Sequence, residues 1–252
     1  MKISGLILLS FLCGILPLSH LKAQDFVTNT LRDELNSHFN SLQKQDKPPY
    51  FMAYRLTDIQ SYGLGASFGS LIADDYNHKR MISAEIRIGN YEFDNTHPIN
   101  DMGMGYAFMG RSVQQLPIED SLLPIRNSIR ECTDGAYKSS LEQYEELLLV
   151  KDTLKIKFND FSAEPKSNYF EPVAAAIKPG AEWKDYLKKI TALLNQQGYI
   201  LEARAMLSAT TIRNYFISTE GTSVVQNSFI TDLSIAVIYN CEDGNMAPYV
   251  KT

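Results

Sequence analysis

The sequence is poor in the residues that most often carry catalysis or bind metal, with four histidines, three cysteines and one tryptophan among 252 residues. Beyond the first 24 residues the histidines are His38, His78 and His97, and no two of them stand four positions apart. That spacing would place two imidazoles on one face of a helix, so a zincin-type metal helix is excluded. A metal site assembled from distant histidines and carboxylates remains an alternative.

Cysteine is equally scarce, because only Cys132 and Cys241 follow the first 24 residues. In an oxidising compartment the two could form a disulfide, or each could be a small buried apolar side chain. Cys132 falls in a helical run and Cys241 follows a strand-like run, so we expect two free thiols. No nearby histidine could activate either one as a nucleophile.

The sequence contains one match to the spacing of a hydrolase nucleophile motif. Residues 65–69 have the Gly-x-Ser-x-Gly spacing of a hydrolase elbow around Ser67, with Asp74 and His97 downstream in the corresponding order. The elbow requires a turn from a strand into a helix, whereas another strand-like stretch follows here. A metal-free hydrolase using Ser67 is therefore only the third of three functional hypotheses.

Runs of positive charge are also missing. The 24 Lys and Arg residues are scattered, the net charge is −5 and the isoelectric point is near 5.4. A phosphate backbone is bound by clustered basic residues, so we expect no nucleic-acid partner. No segment after the N-terminal one is long and apolar enough for a membrane helix.

The N-terminal segment has the pattern of a secretory signal. Lys2 supplies the positive charge, residues 6–16 are apolar, and Ala23 offers a small residue for cleavage. Cys13 lies inside the apolar run, so lipidation is the weaker alternative. We therefore predict a signal peptide over residues 1–24 and an exported chain, periplasmic or extracellular, with no membrane contact after cleavage.

Hydrophobic periodicity predicts an N-terminal lobe over residues 25–158. An amphipathic helix carries Val27, Leu31 and Leu35 on one face and ends before Pro48. A three-strand meander and a pair of helices follow, broken by a hairpin at residues 74–78 and by Gly135. The predicted strands cover residues 50–59, 62–72 and 80–91, and the helices cover residues 120–132 and 137–148.

Residues 159–180 contain three prolines and little periodicity, so they are predicted to be a connector. A C-terminal lobe over residues 181–252 would then contain a helix and three strands, and we expect its fold to be incomplete at the C-terminus. The predicted helix covers residues 182–194 and the strands cover residues 201–207, 211–217 and 229–239. The fold class is α+β, with antiparallel sheets, amphipathic helices on one face and two lobes.

A series of short motifs resembles the N-terminal domain of exported members of the TldD/PmbA metallopeptidase family. The motifs keep the same order over nearly the whole chain after the signal segment, although each alone is weak. They are Pro-Pro-Tyr-Phe at 48–51, Tyr-Arg-Leu-Thr-Asp at 54–58, Ala-Ser-Phe-Gly at 66–69, Ile-Arg-Ile-Gly at 86–89, Thr-Asp-Gly-Ala-Tyr-Lys at 133–138 and Ser-Thr-Glu-Gly-Thr at 218–222.

The resemblance implies a zinc peptidase whose metal lies in a C-terminal domain, on a helix with a His-Glu-x-x-x-His pattern that this sequence lacks. We therefore expect no catalytic residue, metal or cofactor on this chain and no peptidase activity from it alone. By resemblance it would be the non-catalytic portion, walling a cleft for unfolded peptide and pairing with a related subunit in a homo- or heterodimer. The second hypothesis is a free-standing periplasmic binding module.

The resemblance also points to Ser218, Glu220 and Gly221 as residues near that cleft. The simpler interpretation is that they shape a β-turn with Gly221 at positive φ. An extended peptide could add to an exposed sheet edge in such a domain through main-chain hydrogen bonds.

Overall fold

A computed structural model describes residues 26–98, 111–154, 158–242 and 244–252, so the predicted signal peptide lies outside the described residues. Three α-helices pack on one face of a seven-stranded sheet, which confirms the α+β prediction. The helices are α1 (Phe26–Leu42), α2 (Leu122–Val150) and α3 (Ala181–Asn195). The strands are β1 (Pro49–Ser67), β2 (Ser70–Ile88), β3 (Arg111–Leu116), β4 (Asn168–Phe170), β5 (Ile200–Ser218), β6 (Ser223–Asn240) and β7 (Met246–Lys251).

The strand order is β3-β2-β1-β5-β6-β4, with β7 also beside β6. Neighbouring strands are antiparallel except β4, which runs parallel to β6. β1 and β5 pair from Ala53 opposite Ser218 to Ser67 opposite Arg204. The sheet is therefore continuous across the predicted connector at residues 159–180.

The helix face of the sheet carries two separate apolar clusters. The larger lies under α1 and α2, where alternate strand residues such as Met52, Tyr54 and Leu56 are at most 1% exposed. The smaller lies under α3 and joins Leu187 to four strand residues, Leu64, Ala66, Ala205 and Leu207. This alternation follows from the two-residue period of a strand with one face packed against helices.

The predicted three-strand meander is wrong, because β1 and β2 are two 19-residue strands joined at Phe68 and Gly69. Both turn residues have positive φ, 50° and 75°. The predicted hairpin at residues 74–78 lies inside β2 instead, paired with residues 60–64 of β1. Likewise, the predicted strands 201–207 and 211–217 are one strand, β5. Polar residues within the strands had suggested breaks that the backbone does not make.

The predicted helical pair is also wrong, since α2 is one helix of 29 residues with Gly135 inside it. A Cβ at Gly135 would lie 3.0 Å from Ser112 Oγ of β3. The glycine thus allows close packing of α2 on the sheet and does not end the helix, although glycine is a poor helix former. None of the described helices is long and apolar enough to cross a membrane.

His38 of α1 packs against the sheet. Its Nδ1 lies 2.8 Å from the Tyr54 hydroxyl, and that hydroxyl lies 2.6 Å from Thr133 Oγ1. Burial lowers the pKa of His38, against the opposing effects of the Glu34 and Asp134 carboxylates. The imidazole therefore links α1, β1 and α2 in its neutral form.

We expect this imidazole to make stability depend on pH. The unfolded chain takes up a proton near the ordinary histidine pKa of about 6.5, whereas the folded chain resists it. The contribution is therefore complete above about pH 6.5 and is lost as pH falls towards the lowered folded pKa. The stability difference between the native chain and His38→Gln, from urea unfolding, should shift in favour of the native chain between about pH 5 and pH 7.5. A pH-independent difference would contradict the assignment.

Candidate functional site

Ser218, Glu220 and Gly221 lie together in the turn between β5 and β6. The Ser218 N–H donates to the Thr222 carbonyl at 3.0 Å, and the Gly221 N–H donates to the Ser218 carbonyl at 3.1 Å. Gly221 has a φ of 88°, as the β-turn interpretation predicted. The Thr219 N–H and hydroxyl oxygen also bond to the Met52 backbone of β1. These contacts fix the turn against the end of the sheet.

Glu220 connects this turn to the loop that follows β2. The Tyr91 hydroxyl donates to Glu220 Oε1 at 2.6 Å, and this hydrogen bond raises the pKa of Tyr91. The Tyr91 ring packs edge-on against Tyr50, whose hydroxyl donates to Asp94 at 2.6 Å. Ser218 itself is only 5% exposed. In the described structure, then, the predicted cleft residues mainly hold two loops together.

The outer edge of β6, the edge that does not pair with β5, is accessible over part of its length. β4 covers the outer edge of β6 only at residues 223–225, and β7 covers it only at residues 235–240. Between them, the Glu171 carboxylate accepts the Asn227 N–H at 2.6 Å. In the described part of the chain, no strand pairs with the outer edge of β6 at residues 228–234. We call residues 228–234 the open β6 segment.

The hydrogen-bonding direction of this segment follows from its neighbours. The Ser223 N–H, the Val225 carbonyl and the Asn227 N–H all bond to residues on the outer side. Backbone groups of successive strand residues point to alternate sides, and the β5–β6 register has no shift here. Phe229, Thr231 and Leu233 therefore direct their N–H and C=O groups outward, while the residues between them bond to β5.

The open β6 segment carries two large apolar side chains on the helix face of the sheet, whereas Ile230 is its one apolar residue on the opposite face. Phe229 and Leu233 lie on the helix face with 52% and 37% exposure, and Ile230 lies on the opposite face with 54% exposure. Asp232 is the one charged residue of the segment. Sheet edges are normally protected by charge, proline, bulges or a covering element, so an apolar open edge indicates a pairing surface.

A further open edge, along residues 70–79 of β2, differs in this respect. β3 pairs with β2 only from Arg80 to Glu85, and Pro117 follows β3. This edge carries Asp74, Asp75, His78 and Lys79, and Asp74 is ion-paired with Lys184 of α3. Charges of this kind oppose the addition of another strand. Of these two edges, the open β6 segment is therefore the better pairing surface.

An apolar groove of about 480 Å³ begins where the open β6 segment ends. Its floor includes Ile235 and Val237 of β6, one wall is formed by Ile190 and Leu194 of α3, and Tyr249 and Lys251 of β7 line the other side. Lys251 pairs with Ile235, directly beside the last residue of the segment.

A second, polar cavity of about 180 Å³ lies on the helix face, beside the connector residues Val173 and Ala174. On its wall Asp58 accepts from Arg80 Nε and contacts His78 Nε2, each at 2.6 Å, and Arg80 also reaches Asp120. Burial alone would lower the pKa of Arg80, but hydrogen bonds to both carboxylates outweigh it and leave that pKa raised. These charges are compensated internally.

Arg213 forms another part of the same cavity wall. Its guanidinium donates to the Glu171 and Pro172 carbonyls, to Asn227 Oδ1 and to the Tyr215 hydroxyl, all within 3.0 Å. These bonds attach the connector to β5 and β6 where it leaves the sheet edge. Arg213 thus helps to define the beginning of the open β6 segment.

The residues of the hydrolase motif are separated. Ser67 Oγ donates to the Ala203 carbonyl at 3.0 Å, and Ser67 ends a strand of a β-hairpin. His97 Nδ1 lies 2.5 Å from Asp160, while Asp74 is paired with Lys184. Within the described residues there is no group of three or more His, Cys, Asp and Glu side chains that could hold a metal ion. Cys132 and Cys241 are both free thiols.

Sequence reasoning missed the open β6 segment as a site. A signal was present, because apolar residues at 229, 230 and 233 occupy both parities of one strand, which is unusual where one face is exposed to water. The pattern could not show that the strand lies at an edge, since this depends on which strands pair.

No protein-family model matches this chain, and no similar sequence was found among curated proteins. Solved structures with a similar fold include the following three. Two are described as modulators of DNA gyrase: one from Thermotoga maritima (10% identity, 87% of this chain, 42% of that chain, TM-score 0.48) and one from Bacteroides thetaiotaomicron (8%, 90%, 44%, 0.49). The third is TldE from Thermococcus kodakarensis (7%, 90%, 42%, 0.46). The chain thus spans less than half the length of each, and the similarity is one of backbone architecture.

Proposed function

We propose that this chain is a non-catalytic peptide-binding module that holds an extended, unfolded peptide along the open β6 segment. The observation that carries the proposal is the row of outward backbone groups at Phe229, Thr231 and Leu233 on an apolar edge. Main-chain hydrogen bonds to such an edge demand little of the peptide's sequence. This is the role expected of the N-terminal portion of a TldD/PmbA-like metallopeptidase, and a free-standing binding module would use the same edge.

The ends of the segment favour a flexible peptide over a folded strand. Its seven residues span about 23 Å, at roughly 3.3 Å per residue, and β4 and β7 occupy the same edge on either side. A long strand of a folded partner would collide with β4 or β7. The same holds for β6 of a second copy, whose own β7 would meet β6 of the first. A peptide that leaves the sheet plane at both ends avoids these collisions.

Replacing Thr231 with proline tests the proposal. The Thr231 N–H points outward, so proline removes no hydrogen bond to β5, and proline is tolerated at such edge positions. It deletes the central donor and fills the edge with its ring. We expect Thr231→Pro to weaken binding of fluorescein-labelled casein, an unfolded protein, by about tenfold or more, as judged by fluorescence anisotropy. Thr231→Val keeps the N–H and should bind like the native chain.

Amide hydrogen exchange tests the same edge without a mutation. In the free protein the amides of Phe229, Thr231 and Leu233 should exchange rapidly, and casein should slow them. The amides of Ile230 and Asp232, already bonded to β5, should change little. Casein binding that leaves the three outward amides unprotected, or no casein binding at all, would overturn the proposal. Protection that instead rises with protein concentration alone would identify the edge as a subunit interface.

A further inference from the structure

We infer that a shallow groove on the sheet face opposite the three helices binds a carboxylate group, with Arg55 as its cation. The ligand class is a carboxylate on a short apolar chain, supplied by an acidic peptide side chain or by a small organic acid. The inference is independent of the proposed function, because this groove lies on a face of the sheet and the open β6 segment lies at its edge.

The strand registers build this groove from two rows of side chains. Its residues alternate along β1 and β6 with Leu56 and Val225 of the larger apolar cluster, so they point away from the helices. Directly opposed residues of antiparallel strands lie about 5 Å apart on one face. One row is Arg55, Phe216 and Val224, and the adjoining row is Thr57, Asn214 and Gln226. The groove has a volume of about 230 Å³, which suits one small group of a ligand.

The Arg55 guanidinium is held in place and remains open to a ligand. Its central carbon lies 4.2 Å from the centre of the Phe216 ring, and its side chain is 49% exposed. Among the described residues its one ionic contact joins Nη2 to Glu85 Oε2 at 3.7 Å, which is longer than a hydrogen bond. A guanidinium held over a ring with its N–H groups uncommitted is suited to bidentate recognition of a carboxylate.

The charges around the groove favour a single negative charge on the ligand. Glu85 is 9% exposed and already accepts hydrogen bonds from Arg87 Nη2 and Nε at 2.6 and 3.0 Å. The described lining of the groove contains no Asp or Glu. Arg55, Arg87 and Glu85 therefore sum to one positive charge. A phosphate group is typically bound by several cations or by a set of backbone N–H groups, so a carboxylate is the better complement.

The neutral side chains of the second row complete the site. Thr57 Oγ1 donates to Asn214 Oδ1 at 3.3 Å, which leaves the Asn214 Nδ2 donors for a ligand. Gln226 adds a second, exposed amide beside it. Val224 and the Phe216 ring provide apolar surface for the carbon chain that carries the carboxylate.

The test uses two amino-acid derivatives that differ in one charged group. N-acetyl-glutamate α-amide carries a single carboxylate, and N-acetyl-glutamine α-amide is its neutral isostere. In an NMR titration the glutamate compound should shift the backbone amides of residues 55–57, 214–216 and 224–226. It should bind about fivefold more tightly than the glutamine compound, as expected for a partly exposed ion pair.

Variants of two arginines on the same face identify the cation. Arg55→Gln should remove the difference between the two compounds, and Arg55→Lys should retain only part of it, because lysine keeps the charge and loses the planar fork. Arg204→Gln is the matched control, since Arg204 lies on the same face of β5 and is paired with Glu202. It should preserve the full difference.

Propionate and inorganic phosphate complete the design. Propionate that binds as tightly as the glutamate compound would assign the groove to small organic acids, whereas weaker propionate would assign it to acidic peptide side chains. Equal binding of the glutamate and glutamine compounds, no saturable shift at these amides, or a difference that Arg204→Gln also removes would overturn the inference. Phosphate that binds at the same amides more tightly than either carboxylate would overturn it as well. Thr231→Pro should leave the titration unchanged, so this result and casein binding are read separately.

Discussion

Replacing Asp58 with alanine is expected to lower the free energy of unfolding by about 3 kcal/mol. The Asp58 side chain is 9% exposed and contacts both His78 and Arg80 at 2.6 Å. Without it the Arg80 guanidinium, itself only 10% exposed, would remain in the sheet with Asp120 as its one acidic partner. Breaking one side of a buried ion pair leaves an uncompensated charge, at a cost of about 3 to 5 kcal/mol. Because Arg80 keeps its ion pair with Asp120, we expect the loss of unfolding free energy to lie at the lower end of that range.

Two further variants separate charge compensation from packing. Asp120→Ala removes the half-exposed partner of Arg80 and should cost about 1 kcal/mol or less. The double change Asp58→Leu with Arg80→Met removes both buried charges, so it should be more stable than Asp58→Ala alone. Urea unfolding monitored by circular dichroism gives the three values. An Asp58→Ala variant within about 1 kcal/mol of the native chain would mean that the cavity beside Asp58 already solvates these charges.

This cluster also shows why the sequence predicted some elements and misjudged others. The apolar alternation at Ile82, Ala84 and Ile86 marked the helix face of β2 correctly. The same face continues as Arg80 and His78, which line a polar cavity between the two apolar clusters. A polar run in a strand usually indicates a turn, so a hairpin was predicted where β2 in fact continues.

The prediction of two helices over residues 120–148 was wrong for a similar reason. Gly135 costs helix stability, which made a break plausible. The helix continues because α2 packs along the sheet, and Gly135 lies where Ser112 of β3 leaves little room for a side chain. Local sequence carries no information on such packing.

The candidate site was less predictable than the fold. Ser218, Glu220 and Gly221 share one turn, and the positive φ of Gly221 follows from its residue type. The open β6 segment depends on a pairing between β1 and β5 that joins residues about 150 positions apart, such as Ser61 and Thr210. It depends as well on where β4 and β7 stop. Neither is visible in the periodicity of β6 itself.

Replacing Gly89 with alanine is the second change expected to have a large effect, a loss of about 3 kcal/mol. Gly89 follows β2 with a φ of 117°, which L-residues rarely adopt. A Cβ there would overlap the Phe93 carbonyl oxygen and lie 2.9 Å from the Tyr144 ring of α2. The carbonyl belongs to the backbone and accepts the Asn90 N–H, so it cannot move without breaking the turn.

Gly63→Ala is the matched control, because a Cβ at Gly63 meets nothing within 4 Å and its φ is not positive. It should be neutral or stabilise β1 by about 0.5 kcal/mol. The Gly89 variant should also disturb the loop that carries Tyr91, which donates to Glu220 at 2.6 Å. We therefore expect a lower Tm and faster amide exchange at residues 218–222, in the turn that leads into β6. Equal Tm values for the two variants would mean that the loop after β2 is free to rearrange, and that the turn does not depend on it.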